Sequence, residues 1–355
     1  MINFGSRLLK WYAQNGRDLP WRKTADPYAI WVSEIILQQT RVNQGKQYYC
    51  NFLSKFPTVS HLALAEPDQL LKVWEGLGYY NRAINMQKSA AIINQNYGAK
   101  FPATYDDWLE LPGVGTYTAA AIVSAAFNLP VAAIDTNAFR VVSRLYAVSQ
   151  DLPVSQRKKR VQSIADGLLD HANPGQFNQA LMDFGAMVCR SVNPHCTQCI
   201  FGSECEAFQQ GATDKYPQKA TQSNVKKRFF YYFKVIVIDS SGKEKLLVYQ
   251  RQKPDIWRHL YELPMIETDT ECSIDEMMHL TQRFEWVGGL PLHDIGVFSK
   301  PIRHKLTHQL IVARLISGKI NHSDLAKVAN PFCWVTFGEF ELLPKHRLIS
   351  KLMSN

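Results

Sequence analysis

No stretch of this 355-residue chain approaches the ~18 consecutive apolar residues that cross a bilayer, and no basic segment leads into an apolar run with a cleavage site. The expectation is a soluble, cytoplasmic protein with no membrane partner. Internal repeats and low-complexity tracts are also missing, which leaves no basis for a solenoid or a disordered polar chain. Acidic residues are the minority, with Asp plus Glu at 31 against Lys plus Arg at 40, a net charge of +9. Part of the excess falls in two short runs, Arg157-Lys158-Lys159-Arg160 and Lys226-Lys227-Arg228. That balance suits a polyanionic partner, although an ordinary solvated surface accounts for charge alone equally well. Cysteine is scarce outside one segment: Cys50, Cys272 and Cys333 stand alone, as reduced, buried thiols do.

At this length about two domains are expected. Up to about residue 210 the apolar periodicity is helical, over Asn3 to Gln14, Pro27 to Gln39, Val42 to Phe56, Asn81 to Tyr97, Tyr117 to Phe127, Asn137 to Ala147, Ser155 to His171 and Gln176 to Cys189. Asp26 and Asp135 stand where N-caps belong. A polar link follows, and the pattern then turns to β-rich runs with period two: "RFFYYFKVIVI", a Ser-Ser-Gly-Lys turn and "KLLVYQR". Further strands fit Leu260 to Leu263, Gly296 to Lys300 and Leu310 to Ile316, with a helix over Ile274 to Phe284. The reading is multidomain: an all-α domain over 1–208, a linker over 209–228 and a small α+β domain over 229–355.

Four features carry chemistry. "LPGVG", Leu111 to Gly115, is a hairpin whose Gly113 and Gly115 let backbone N–H groups approach an anion just before a helix begins. Alone it is a weak signal, since most such turns are only turns. Twenty residues past Gly115 stands Asp135, first of all an N-cap, where the helix dipole and nearby N–H groups favour the ionised carboxylate. Glu34, in "PYAIWVSEIILQQT", shares a helical face with Ile30 and Leu37, so its carboxyl is placed to hold a proton more tightly. By residue type alone a solvated glutamate is favoured roughly three to one. Two carboxyl groups pushed apart in acidity allow one to donate a proton while the other steadies a cation, which suits cleavage of a sugar from its leaving group. Finally, Cys189, Cys196, Cys199 and Cys205 are spaced C-x6-C-x2-C-x5-C. Four thiolates in so short a loop call for a metal centre, and zinc and [4Fe-4S] both accept four cysteines.

The hairpin, the aspartate twenty residues on and the cysteine spacing resemble the helix-hairpin-helix DNA glycosylases related to endonuclease III. Within them "SEIILQQTRV" and "WEGLGYYNRA" resemble the MutY adenine glycosylases, and "RQKPDIWRHLYELP" and "IRHKLTHQLIVARL" resemble that family's Nudix-like C-terminal domain. The resemblance implies a monomeric, monofunctional hydrolase that removes adenine mispaired with 8-oxoguanine or guanine in duplex DNA, starting base excision repair. It implies that Glu34 protonates adenine N7, that Asp135 steadies the sugar cation, that Tyr117 lines the pocket and that Asn137 holds the catalytic groups. Gln38 and Gln39 would probe the duplex, Tyr80 would stack beside the lesion, and Gly113 and Gly115 would grip phosphate. Thr307 and His308 would face 8-oxoguanine, and Arg190 would meet phosphate beside a [4Fe-4S] cluster on the four cysteines.

Endonuclease III-like relatives carry a lysine where Tyr117 stands, and a phenol cannot form their imine. Two departures run against the family pattern: Thr136 replaces the usual glycine after the aspartate, as in the endonuclease III branch, and Leu306 replaces an aromatic residue. Three alternatives follow: a bifunctional glycosylase and lyase, a silent lesion-binding module, and a nucleotide hydrolase. The last lacks the Glu-rich metal-binding box such hydrolases need.

Overall fold

The eight segments with helical periodicity all form helices in the computed structural model, which describes residues 3–218, 225–273, 275, 276, 279, 292–328 and 330–354. They are α1 (Phe4–Asn15), α2 (Pro27–Leu37), α3 (Val42–Lys55), α6 (Asn81–Asn96), α8 (Thr116–Phe127), α9 (Thr136–Leu145), α10 (Val154–Leu168) and α11 (Pro174–Met187). Both expected caps are made. Asp26 accepts from the N–H groups of Tyr28 and Ala29, and Asp135 from that of Ala138. Four short helices escaped the periodicity: α4 (Val59–Ala63), α5 (Pro67–Val73), α7 (Tyr105–Leu109) and α12 (Glu206–Gln209). One to two turns offer too few positions for a 3.6-residue repeat to declare itself. No helix among the described residues is long and apolar enough to cross a membrane.

Two compact units emerge, Met1–Ala65 with Asn85–Thr221, and Glu66–Ile84 with Gln222–Asn355. The first is helical. One core of it joins Phe4 and Leu8 to Val141, Val142, Phe177, Leu181 and Phe184, and it extends to Phe201 and Cys205 of the cysteine loop. That core ties α9 and α11 to the loop, which is what holds the site below.

The second unit carries a mixed sheet. Its strands are β1 (Lys226–Ile238), β2 (Glu244–Gln250), β3 (Tyr261–Glu262), β4 (Met265–Thr268), β5 (His293–Lys305), β6 (Gln309–Lys319) and β7 (Phe332–Thr336). The order is β3-β2-β1-β6-β5, with β4 on β1 and β7 on β2; β1 and β6 run parallel, and the other pairs are antiparallel. The simple alternation expected of β1 gives way to burial on both faces. Phe230 and Tyr232 pack with Phe340, Leu348 and Leu352 of two C-terminal helices, while Tyr231, Phe233 and Val235 pack with Leu247 and Ile316 on the other side. The helix expected over Ile274 to Phe284 falls largely outside the described residues. Glu66–Ile84 departs from the sequence boundary: this segment, read as part of the first domain, groups with the second unit, where Asp68 of α5 bonds to the sheet and Lys72 to carbonyls at the end of a C-terminal helix.

Candidate active site

Tyr28 through Ile36 are all buried, so α2 is enclosed around its circumference rather than lying on a surface. Glu34 is 5% exposed, which excludes the solvated glutamate that residue type alone would favour. Burial pushes its pKa up to about 7; the nearby charge of Asp135 adds to the rise, and a hydrogen bond from Tyr117 and the charge of Arg22 oppose it. Tyr117 stands in the first turn of α8, and its hydroxyl donates to Glu34 Oε2 at 2.8 Å and lies 3.3 Å from Met182 Sδ. Burial and Glu34 hold the phenol well above its ordinary pKa, so it stays a donor. A prediction follows for Tyr117→Phe. Loss of a bond that favours the ionised carboxylate raises the Glu34 pKa, so the alkaline fall in single-turnover rate moves above pH 7; an unmoved or lowered limb refutes the linkage.

Asp135 corrects one expectation. Its Oδ1 accepts the Ala138 N–H at 2.7 Å and its Oδ2 the Asn137 amide at 2.8 Å. Those bonds favour the anion as anticipated, yet burial outweighs them and the pKa is raised. Asn137 in turn accepts from Arg140 Nη2 at 2.8 Å; the same guanidinium donates to the carbonyls of Gly185 and Cys189, both at 2.7 Å. Gly185 is needed here, since a Cβ on it would stand 2.8 Å from Asn137 Cβ and backbone O. Thr136 is exposed at the first position of α9, so the substitution for glycine makes no demand on the interior.

Sequence reasoning missed a second polar group. Asp183 is 0% exposed on α11 and takes Arg22 at 2.7 and 2.8 Å and Arg17 Nε at 2.8 Å. Burial works against its charge, but the two arginines prevail and its pKa is lowered. The pair fixes Arg22 close enough to act on Glu34. A lone aspartate inside the apolar "ALMDFGAM" was the available signal. A cavity of about 650 Å³ is lined by Leu19, Trp21, Arg22, Lys23, Ser33 and Glu34 among others. Lys23 is itself paired with Asp18 at 2.7 Å.

The hairpin forms as expected: Gly113 has φ 81°, and a Cβ there would meet Asn85 at 2.9 Å. Gly115, exposed, caps α8 with nothing within 4 Å of where a Cβ would stand. Gln38 ends α2 and donates to Thr118 Oγ1 at 3.3 Å, while Gln39 is exposed in the left-handed region. Of the tyrosine pair the expectation chose Tyr80, but Tyr80 is 7% exposed, with its hydroxyl 3.4 Å from the Lys345 carbonyl. Tyr79 is the exposed ring, at 48%, and its hydroxyl meets Thr307. Tyr79, not Tyr80, therefore presents the open aromatic face of the pair. Thr307 and His308 form the exposed tip between β5 and β6, and Leu306 packs into the sheet core. Of the basic runs, Arg157 to Arg160 lie on α10. Arg228 is buried and consumed by Asp255 and Glu267 at 2.6 Å each, so it is not a phosphate ligand. Arg190 is exposed and donates to the Asn193 carbonyl at 2.9 Å.

The four clustered cysteines are free thiols. Cys189 follows α11, Cys196 and Cys199 bracket one 3₁₀ turn, and Cys205 ends another. All four line one cavity with Arg144, His195 and Gly202. Burial, with the charges of neighbouring thiols adding to it, raises the pKa of Cys196, Cys199 and Cys205. Four thiols around one shared space are a donor set suited to a cationic group. Among the described residues no three His, Cys, Asp or Glu side chains converge as ligands of a single metal ion.

A hairpin leading into the helix of Tyr117, whose hydroxyl holds the buried Glu34, together with a half-buried Asp135 capping a second helix, suits a base-excision enzyme. The family described as HhH-GPD superfamily base excision DNA repair protein matches residues 32–167. The chain is 35% identical over 272 residues to the adenine DNA glycosylase of Buchnera aphidicola subsp. Acyrthosiphon pisum (strain APS), covering 76% of each. It is 30% identical to that of Buchnera aphidicola subsp. Baizongia pistaciae (strain Bp), over 98% of this chain and 96% of the relative, and 31% identical to that of Homo sapiens, over 86% and 66%. The chain belongs to the adenine DNA glycosylase family. Its fold is similar to a thermostable thymine-DNA glycosylase (31% identity, TM-score 0.55, 58% of this chain and 95% of the other). It is also similar in fold to a trapped endonuclease III-DNA covalent intermediate (22% identity, TM-score 0.51, 58% and 94%).

Proposed function

We propose that the protein hydrolyses the N-glycosidic bond of adenine mispaired with 8-oxoguanine or guanine in duplex DNA, without cutting the strand, and so begins base excision repair. The observation that carries this reading is the buried Glu34 held by Tyr117 beside Asp135, with a phenol where a lyase needs an amine. A base inside a duplex is out of reach, so adenine is rotated into the cavity that Glu34 lines. Glu34, its pKa pushed up to about 7, delivers a proton to adenine N7 and makes the base a better leaving group. As the C1′–N9 bond breaks, Asp135 steadies the positive charge on the sugar, and Asn137 fixes the carboxylate that does so. Water then completes the hydrolysis.

Gly113 and Gly115 offer the hairpin backbone to a phosphate, and Gln38 and Gln39 lie at the end of α2 to probe the duplex. In the second unit, read as Nudix-like, Tyr79 supplies an aromatic face and Thr307 and His308 the polar tip that meet 8-oxoguanine. The unit binds and does not hydrolyse nucleotides. Cys189, Cys196, Cys199 and Cys205 would hold a [4Fe-4S] cluster. All four line one cavity, the donor set that a four-cysteine cluster needs. When bound, the cluster supplies charge neutralisation and order for this loop.

The test is a labelled duplex with adenine opposite 8-oxoguanine, incubated with the full chain and divided into samples with and without alkali. Cleavage only after alkali is expected. Cleavage without alkali that borohydride traps would overturn the monofunctional reading and point to Lys23, which lines the cavity; no cleavage in either sample would leave a lesion-binding module.

A further inference from the structure

In chain order Glu66–Ile84 lies within the segment matched by the glycosylase family, yet it packs with the sheet. Two side chains of α5 make the attachment. Asp68 accepts from Gln250 Nε2 at 3.2 Å and from the Tyr261 hydroxyl at 3.1 Å. Lys72 donates to the carbonyls of Glu341 at 2.7 Å and Leu343 at 3.3 Å, and pairs with Glu75 at 2.7 Å. Four residues from two different parts of the second unit thus hold one short helix at both its ends.

The loop beyond α5 is tightly specified. Gly76, Gly78 and Tyr79 all have positive φ, at 94°, 72° and 46°. For a tyrosine this is a conformation its surroundings must enforce. Trp74 Nε1 donates to the Gly78 carbonyl at 3.1 Å, and Arg82 Nη2 to those of Leu77 and Gly78 at 3.3 and 3.1 Å. The Arg82 guanidinium also lies over the rings of Trp74 and Tyr79, 5.2 and 5.8 Å from their centroids. These bonds shape the loop but are local to it. The anchors on α5, the Tyr79 hydroxyl on Thr307 and the Tyr80 hydroxyl, 3.4 Å from the Lys345 carbonyl, relate it to the rest of the second unit.

We propose that Asp68 and Lys72 are positioning residues for lesion reading: by clamping α5 to the sheet they hold the exposed Tyr79 ring in register with the Thr307 hydroxyl, and so set the preference for 8-oxoguanine over guanine. The proposal rests on the assignment of Tyr79 and Thr307 to the lesion. A ring and a hydroxyl on different elements read one base together only while the elements keep their spacing, and one lost anchor lets that spacing drift. Asp68 also lies in the first turn of α5, where any acid favours the helix dipole. Asparagine separates the roles, since it drops the charge and keeps an oxygen for Tyr261.

The experiment compares single-turnover adenine release from duplexes carrying 8-oxoguanine or guanine opposite the adenine, using the full chain. Asp68→Ala is expected to lower the ratio of the two rates roughly tenfold through the 8-oxoguanine substrate alone, in line with the loss of hydrogen bonds to a charged group. Tyr261→Phe should follow it in part, and Asp68→Asn should restore most of the ratio. An equal fall on both substrates, or an Asp68→Asn variant no better than Asp68→Ala, overturns the positioning role. Tyr79→Ala serves as the reference: if it collapses the ratio while Asp68→Ala does not, the clamp is wrong. If neither variant moves the ratio, the assignment of Tyr79 to the lesion fails first, and the clamp with it.

Discussion

Replacing Glu34 by glutamine is expected to lower single-turnover release of adenine by roughly 10²–10⁴-fold, the span that general acid catalysis supplies. Glutamine keeps the volume and an acceptor for Tyr117 but has no proton to give. On the proposed mechanism the acid form is the active one, so the rate is expected to fall as pH rises through about 7; the variant's residual rate should lose that limb. Stability falls over the same rise in pH. The folded-state pKa lies above the ordinary 4.5, so the native protein binds more protons than the unfolded chain between those values. The cost of ionising Glu34 is absent below pH 4.5 and complete above about 7, where it is on the order of 3 kcal/mol. Glu34→Gln should therefore melt higher than the native protein at pH 8 while remaining almost inactive. A variant that is inactive because it is unfolded, or active at alkaline pH, would contradict this account.

Asp135→Asn is expected to cost roughly 10²–10³-fold, as does removal of one electrostatic partner of a developing charge. The helix should survive, because asparagine caps as well as aspartate does and can still take the Ala138 N–H. The informative readout is the pH profile of what activity remains. The charge of Asp135 helps to raise the Glu34 pKa, so its removal brings the alkaline limb below pH 7, opposite in direction to Tyr117→Phe. On the proposed mechanism the acid limb belongs to Asp135, which must be ionised and whose pKa burial raises from its ordinary value. Opposite displacements in the two variants would show one coupled site; identical ones would mean the limbs report something else.

What the order of residues determined by itself is what depends on neighbours in the chain. The caps at Asp26 and Asp135, the left-handed glycine of the hairpin, the long amphipathic helices and the longer strands all follow from spacings of a few residues. The pairing of Glu34 with Asp135 was open to suspicion for the same reason, one on an apolar face and the other at a cap. Tertiary structure decided what depends on burial and on distant partners. It enclosed α2 entirely, which turned an ordinary glutamate into an acid with a pKa near neutrality. Burial likewise reversed the direction of the Asp135 shift that the local N–H groups favoured. Arg22 came to Asp183 across 161 positions, a pairing that no periodicity encodes. The choice between Tyr79 and Tyr80 was equally illegible, since adjacent residues of one type in an irregular loop carry no repeat to say which faces inward. Short-range geometry is written in the sequence, whereas desolvation is a property of the whole packed unit, and it is desolvation that makes these carboxyl groups chemically different.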